Sequence, residues 1–195
     1  MSSNVIAICN QKGGVGKTTT AINLAAALAG IGKKILILDL DPQGNASTGL
    51  GIEYSERGNS IYEVLSNTIS FDEGVKKTNL ENLFIIPSNV ELSGIEPELA
   101  NENDKAFVLK SLMNNSDSIN KYDYVFIDCP PALSLLTVMA MTAASSVLVP
   151  LQCEFFALEG LSQLIKTVDR VHKNLNPSLS IDGIILTMFD KRNKL

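Results

Sequence analysis

The chain has 195 residues, of which 45% are hydrophobic and 19% are charged, which is typical of a globular protein and excludes a disordered or collagen-like chain. Its formal net charge of -5 argues against a uniformly basic nucleic-acid coat. The sequence has no apolar run of about 18 residues, no basic leader of a secretory signal and no paired spacing among its three cysteines, so we expect a cytoplasmic protein without membrane spans or a disulfide scaffold.

Short apolar runs rich in β-branched residues alternate along the chain with helix-forming stretches. The runs predict strands at 4–9, 34–40, 83–87, 123–128, 146–150 and 181–188. The stretches between them predict helices at 18–29, 59–66, 105–113, 132–144 and 156–174. This alternation predicts an α/β fold with a mostly parallel, doubly wound sheet that is flanked by helices on both faces, with the strands at 4–9 and 123–128 adjacent.

The chain shows no internal repeat and no interdomain linker, so residues 1–195 are predicted to form a single domain. The sequence ends directly after a predicted strand. An uncovered sheet edge is unusual in this architecture, so we expect that the domain lacks its C-terminal segment.

A glycine-rich segment, Gln11–Thr20 (QKGGVGKTTT, here called the phosphate loop), lies between the first predicted strand and the first predicted helix. Glycines let backbone N–H groups wrap closely around phosphate oxygens, and the helix adds its positive N-terminal end. In this position Lys17 would neutralise the β- and γ-phosphates, and the Thr18 hydroxyl would bind Mg²⁺. The segment departs from the strict pattern GxxxxGK[ST], because Gln11 stands where the first glycine belongs.

The octapeptide KGGVGKTT resembles the deviant Walker A motif of the ParA and MinD group of P-loop ATPases. The resemblance implies catalytic roles for the two lysines of the motif. In this family the first lysine reaches across a dimer interface to the partner's nucleotide, in the manner of an arginine finger. The nucleotide-binding residues that the resemblance implies are Lys12, Gly13, Gly14, Val15, Gly16, Lys17, Thr18 and Thr19.

Two aspartates lie at the end of the second predicted strand, in the segment Lys34–Asn45 (KILILDLDPQGN). Ligands bind at the carboxyl ends of strands in open α/β sheets, so Asp39 and Asp41 are expected near the phosphates. Two acids beside a polyanion need an intervening metal or water, which makes Asp39 a candidate Mg²⁺ ligand. The segment resembles switch I of ParA-type partition ATPases, and by that resemblance Asp41 orients or activates the attacking water.

A third aspartate ends a hydrophobic strand in Tyr122–Pro131 (YDYVFIDCPP). An apolar strand that ends in aspartate is the Walker B pattern, in which Asp128 would hold Mg²⁺ through a water. The pattern is weak on its own and becomes strong with the phosphate loop upstream. The residues that follow resemble the family's switch II.

The resemblance to the ParA family, also called Soj, covers essentially the whole chain, including PLQCEFFALEGLSQL at 150–164 and LTMFD at 186–190. It implies a single P-loop ATPase domain that uses ATP and Mg²⁺ and turns over slowly. ATP would drive a sandwich homodimer that binds double-stranded DNA without sequence preference, and a ParB-like partner would stimulate hydrolysis. The protein would be cytoplasmic and associated with the nucleoid, without a membrane partner.

The C-terminal part of the chain is more basic than the rest. Residues 161–195 carry six basic and three acidic side chains. Non-specific DNA binding in the family uses basic residues of the C-terminal part, and only Arg192 matches the family's segment TMFDxRTN here. Arg192 is therefore the candidate DNA contact, and the competing interpretation is a solvated surface.

Three other functions are weighed against this one. A MinD-like membrane-cycling ATPase would need a C-terminal amphipathic helix, and the segment around Asp41 disfavours it. A nucleotide-binding scaffold without hydrolysis is disfavoured by the presence of Lys17, Asp41 and Asp128. A ParA-like nucleotide switch that positions another cargo stays open, because the sequence does not identify the partner.

Overall fold

The computed structural model describes residues 3–154 and 157–190, which contain one seven-stranded sheet. The strands are β1 (Asn4–Ile8), β2 (Ile35–Asp39), β3 (Lys76–Lys77), β4 (Leu83–Ile86), β5 (Tyr124–Asp128), β6 (Ser146–Gln152) and β7 (Ser180–Thr187). Their spatial order is β3-β4-β2-β5-β1-β6-β7. Neighbouring strands run parallel except β3 and β4, which are antiparallel. The predicted fold class is therefore confirmed.

Eight α-helices lie in the described part of the chain. They are α1 (Lys17–Gly30), α2 (Asn45–Gly49), α3 (Ile61–Leu65), α4 (Phe71–Gly74), α5 (Ile95–Glu98), α6 (Val108–Asn114), α7 (Leu135–Ala143) and α8 (Ala157–Asn174). The helix predicted at 156–174 corresponds to α8, and residue 156 lies outside the described ranges. Within those ranges, no helix combines the length and the apolar character that a membrane span requires.

Helices cover both faces of the sheet because consecutive strand residues point to opposite sides. On one face, Ile35 and Ile37 of β2 and Phe126 of β5 pack with residues of α1 and α2. On the other face, Leu36 and Leu38 of β2 belong to a core that includes residues of α6, α7 and α8. Both sets are fully buried, which explains why the central strands read as continuous apolar runs in the sequence.

Helix α1 packs on the sheet through a stripe of small side chains. Ala21, Ala25 and Ala29 recur at four-residue spacing and are buried. The helix begins at Lys17, directly after the glycines of the phosphate loop. Its positive N-terminal end therefore lies at the carboxyl edge of the sheet, where β1 ends.

The carboxyl ends of three neighbouring strands are in register at this edge. Asp128 of β5 lies opposite Ile8 of β1 on one side and opposite Asp39 of β2 on the other. The predicted adjacency of the strands at 4–9 and 123–128 is confirmed, and the pairing is parallel. The three segments that carry the predicted site residues therefore leave the sheet side by side.

Several short elements were absent from the sequence-based prediction, namely α2, α4, α5 and β3. Residues 41–51, for which no helix or strand was predicted, contain α2, whose Ala46 is buried in the same core cluster as the alanines of α1. Glycine and asparagine lower the helix propensity of this segment, and tertiary packing overrides that preference. The edge strand β3 has two residues, which is too short for a periodic signal.

Candidate active site

The phosphate loop joins β1 to α1 in a shape that its glycines allow. Gly14 and Gly16 have φ of +74° and +89°, in the left-handed region that other residues disfavour. Gly16 also lies close to β7, since a Cβ added there would be 3.5 Å from the Thr187 methyl group. The Val15 side chain is buried, which leaves its backbone N–H as the group that a phosphate could use.

Two polar residues outside the motif hold the loop in place, and sequence reasoning missed both. Asn10 is buried, its Nδ2 donates to the Pro150 carbonyl at 2.6 Å, and its Oδ1 accepts from the Lys12 N–H at 3.0 Å. The Thr187 hydroxyl donates to the Val15 carbonyl at 2.8 Å. These partners belong to distant parts of the chain, so no local pattern could have revealed them.

Lys17 opens α1 and is buried. Its Nζ donates to the Lys12 carbonyl at 3.0 Å, inside the turn of the phosphate loop. Burial lowers the pKa of Lys17, and the nearby Asp128 carboxylate opposes this shift. A cation held in this way is already oriented toward the position where nucleotide phosphates would bind.

Lys12 has a different environment from Lys17. Its side chain is 45% exposed, and its ammonium group forms an ion pair with Glu154, which follows β6. The described residues that line the cavity beside the loop do not include Lys12. The side chain is thus held next to its own phosphate site rather than in it, and its predicted contact with nucleotide stays a prediction.

Asp39 is the last residue of β2, and both of its carboxylate oxygens accept hydrogen bonds from nearby residues. Oδ2 accepts from the Ser47 N–H at 2.9 Å and from the Ser47 hydroxyl at 2.7 Å, and Oδ1 accepts from the Asp41 N–H at 3.3 Å. Burial raises the pKa of Asp39 to about 6, although these hydrogen bonds favour the charged form. Asp39 therefore fixes α2 and the segment that follows β2, and its role as an Mg²⁺ ligand stays a prediction.

Asp128 is buried at the end of β5, and neither carboxylate oxygen accepts a well-formed hydrogen bond from a residue in the described ranges. Burial and the charge of the neighbouring Asp39 raise the pKa of Asp128 to about 7, although the nearby Thr18 hydroxyl and Lys17 ammonium group favour its charged form. A buried carboxylate that its surroundings stabilise so weakly fits a cation site. The described residues hold no group of three or more His, Cys, Asp or Glu side chains suited to a metal.

A cavity of about 520 Å³ opens beside the phosphate loop and brings most of the predicted residues together. Asp41 lines it, and Asp41 Oδ1 accepts from the Gln43 N–H at 3.0 Å, which orients the carboxylate. Asp39 and Asp128 lie at the strand ends and are buried. Arg192, the candidate DNA contact, lies outside the described residues. The other predicted residues that line the cavity are Gly13, Gly14, Gly16, Lys17, Thr18 and Thr19.

Comparisons with known proteins agree with this site. An AAA domain family model matches residues 3–181. The chromosome partitioning protein ParA of Caulobacter vibrioides is 52% identical over 198 residues, covering 100% of this chain and 74% of that protein. The sporulation initiation inhibitor protein Soj of Bacillus subtilis is 50% identical over 191 residues, covering 98% of this chain and 75% of that protein.

Some solved structures similar to this chain contain bound nucleotide and magnesium. Cobyrinic acid a,c-diamide synthase from Mycobacterium smegmatis, with bound ATP analog and magnesium, has a TM-score of 0.92 and 38% sequence identity. The match covers 98% of this chain and 77% of that chain. The same enzyme has also been solved with ADP and magnesium.

The parallel sheet, the phosphate loop and the matched family model define the class of this protein as a P-loop ATPase. The sequence identity to ParA and Soj extends along almost the whole chain, which distinguishes one family within the P-loop ATPases. The chain belongs to the ParA/Soj family of partitioning ATPases, as the resemblance of its motifs predicted.

The raised pKa of Asp128 predicts how pH affects the stability of the nucleotide-free protein. Between about pH 4 and pH 7 Asp128 binds more protons in the folded protein than in the unfolded chain, so its contribution to stability falls as pH rises through this window. Asp128→Asn removes the cost of a buried charge and should raise the free energy of unfolding at pH 8 by roughly 1–3 kcal/mol. The gain should disappear near pH 4, as measured by urea unfolding.

Asp123→Asn is the matched control for this experiment. The Lys34 N–H and the Lys33 ammonium group lower the pKa of Asp123, so its stabilising effect is present at high pH and is lost on acidification. At pH 8 the control should therefore lose stability where Asp128→Asn gains it. A loss of stability in Asp128→Asn at pH 8 would contradict the assignment of Asp128 as a buried acid whose charge is poorly compensated.

Proposed function

We propose that this chain is an ATP-dependent partitioning switch of the ParA/Soj type. Mg·ATP drives formation of a sandwich homodimer, the dimer binds double-stranded DNA without sequence preference, and hydrolysis, stimulated by a ParB-like partner, resets it. The protein then acts in the cytoplasm, on the nucleoid. The observation that carries the proposal is the cavity that joins Lys17, Thr18 and Asp41 while Lys12 lies beside it.

Nucleotide binding uses the backbone of the phosphate loop and the first residues of α1. The backbone N–H groups of residues 13–16 and the N-terminal end of α1 bind phosphate oxygens, and the Lys17 ammonium group balances the negative charge of the β- and γ-phosphates. Thr18 and Asp128 would hold Mg²⁺, with Asp39 nearby at the neighbouring strand end. Bound Mg²⁺ would supply neutralisation of the charge on the phosphates.

Hydrolysis uses Asp41, the predicted acid that lines the cavity. Its Oδ1 is already oriented by the Gln43 N–H, which leaves Oδ2 to accept a hydrogen bond from the attacking water. The water adds to the γ-phosphorus and its proton passes through Asp41 Oδ2 to the released phosphate, while the bond to the β–γ bridging oxygen breaks and ADP leaves. Positioning the water in this way accelerates hydrolysis, although no covalent bond forms between the protein and the phosphate.

Lys12 completes the site from the partner protomer. In the monomer its ammonium group is paired with Glu154, outside its own cavity. Dimerisation across the open side of the cavity would exchange this partner for the nucleotide of the second protomer, where the cation stabilises charge on the transferring phosphoryl group. An isolated protomer would thus lack one catalytic cation, so we expect its intrinsic turnover to be slow.

Single substitutions of the two lysines separate binding from hydrolysis. Lys17→Ala should lose binding of a fluorescent ATP analogue. Lys12→Ala should keep that affinity within about threefold but lose at least roughly tenfold in phosphate release, short of the roughly 10³–10⁵ of arginine fingers. Lys33→Ala, on the opposite edge of the sheet, is the control and should match the wild-type protein. Wild-type turnover in Lys12→Ala would refute the catalytic role of Lys12.

DNA binding should depend on nucleotide and on salt but not on sequence. Two unrelated duplexes should bind with equal affinity in Mg·ATP, and the logarithm of the binding constant should fall linearly with the logarithm of salt concentration. In the proposed homodimer, Arg192→Ala removes one phosphate contact per protomer and should reduce that slope by about 1.8, twice the roughly 0.9 of a single contact. Fluorescence anisotropy measures both quantities, and a strong preference for one duplex would contradict a backbone-only mode.

A further inference from the structure

Arg57 is a buried arginine that none of the motifs of this chain includes. It follows the short 3-10 helix Tyr54–Glu56 and is 6% exposed. Its guanidinium lies 5.9 Å from the centre of the Tyr54 ring. A buried, permanently charged group is costly unless it is fully hydrogen-bonded, so its partners indicate its role.

The guanidinium uses its five N–H donors on neutral oxygens of the chain. Nε and Nη2 donate to the Ile52 carbonyl at 3.1 and 2.8 Å, and Nη2 also donates to the Thr48 hydroxyl at 2.8 Å. Nη1 donates to the carbonyls of Gly44 and Ser88 at 3.3 and 3.4 Å. Since no N–H is left for a ligand, Arg57 is an internal clamp and not an anion site.

The Gly44 carbonyl connects this clamp to the catalytic aspartate. Gly44 closes a turn on Asp41, because the Gly44 N–H donates to the Asp41 carbonyl at 2.9 Å and the Gln43 N–H donates to Asp41 Oδ1 at 3.0 Å. Gly44 has φ +62°, and a Cβ at this position would lie 2.4 Å from Arg57 Nη1. The turn of residues 41–44 (here called the Asp41 turn) is therefore seated directly on the guanidinium.

A second chain of hydrogen bonds connects the same clamp to Asp39. The Ser88 carbonyl accepts from Arg57, the Ser88 N–H donates to the Ser47 hydroxyl at 3.0 Å, and that hydroxyl donates to Asp39 Oδ2 at 2.7 Å. Arg57 is thus connected by hydrogen bonds to both Asp39, at the start of the segment between β2 and α2, and Gly44, at its end. Residues of three separate segments meet at a single planar group.

We propose that Arg57 is a positioning residue for hydrolysis, which sets the direction of the Asp41 carboxylate by holding the Gly44 end of the Asp41 turn. The inference rests on the proposed ATPase function and adds a residue to it. A lysine at this position keeps the charge but has three donors on one atom, so it cannot span the carbonyls of Gly44, Ser88 and Ile52.

Hydrogen exchange in the nucleotide-free protein tests the clamp without reference to catalysis. In Arg57→Lys, amides of the Asp41 turn should exchange at least about tenfold faster than in the wild-type protein, while those of β5 should not change. Arg170→Lys, an exposed substitution of the same kind on α8, is the control and should leave the turn unchanged. Unchanged protection of the turn in Arg57→Lys would overturn the proposal.

Catalysis gives the second measurement. Arg57→Lys should bind a fluorescent ATP analogue within about threefold of wild type, while its single-turnover hydrolysis rate should fall at least about tenfold. A proportional loss of affinity and rate would assign Arg57 a purely structural role. If Arg57→Lys does not fold, Thr48→Val is the second variant, which removes at an exposed residue one acceptor of the guanidinium and the hydroxyl's own hydrogen bond to the Gly44 carbonyl. It should change both measurements in the same directions to a smaller extent, whereas Thr48→Ser, which keeps the hydroxyl, should change neither.

The two measurements separate this inference from the function on which it rests. If the wild-type protein binds ATP but hydrolyses none, the proposed function fails. Hydrogen exchange still decides in that case whether Arg57 holds the Asp41 turn.

Discussion

The site depends on one electrostatic arrangement, in which a buried ammonium group lies near two buried carboxylates at aligned strand ends. Register places Asp39 opposite Asp128, and the phosphate loop brings Lys17 close to Asp128. Burial lowers the pKa of Lys17 and raises the pKa values of Asp39 and Asp128, which in each case favours the neutral form. Keeping these groups charged therefore costs stability. Phosphates and a divalent cation would provide the partners that this arrangement lacks, which couples ligand binding to stability.

The three aspartates of the site differ in their hydrogen-bond partners, and these partners indicate a different role for each. Asp39 accepts hydrogen bonds from Ser47 and from the segment that follows β2, Asp128 accepts no well-formed hydrogen bond in the described ranges, and Asp41 lines the cavity. In the proposed function, the same sheet edge would supply an anchor, a cation ligand and a group that orients the attacking water. Lys12, paired with Glu154 beside the cavity, is the component that a second protomer would supply in the proposed cycle.

The central strands, α1 and the phosphate loop were predictable because each depends on local sequence: continuous apolar runs, an alanine-rich helix and glycines before a lysine. Other features required the fold. Helix α2 forms against its propensity because Ala46 is buried. Arg57 and Asn10 resemble ordinary polar residues in the sequence, and their partners come from distant segments. The ion pair of Lys12 with Glu154 likewise joins residues that only the sheet brings together.

The central claim is that ATP, and not ADP, brings two protomers together with Lys12 acting across the interface. Light scattering on Asp41→Ala protein tests it most directly, because loss of hydrolysis should trap the ATP-bound state. The account predicts a dimer mass with Mg·ATP, a monomer mass with Mg·ADP, and a monomer in both when Lys12→Ala is added. A monomer with Mg·ATP, in protein shown separately to bind the nucleotide, would contradict the account.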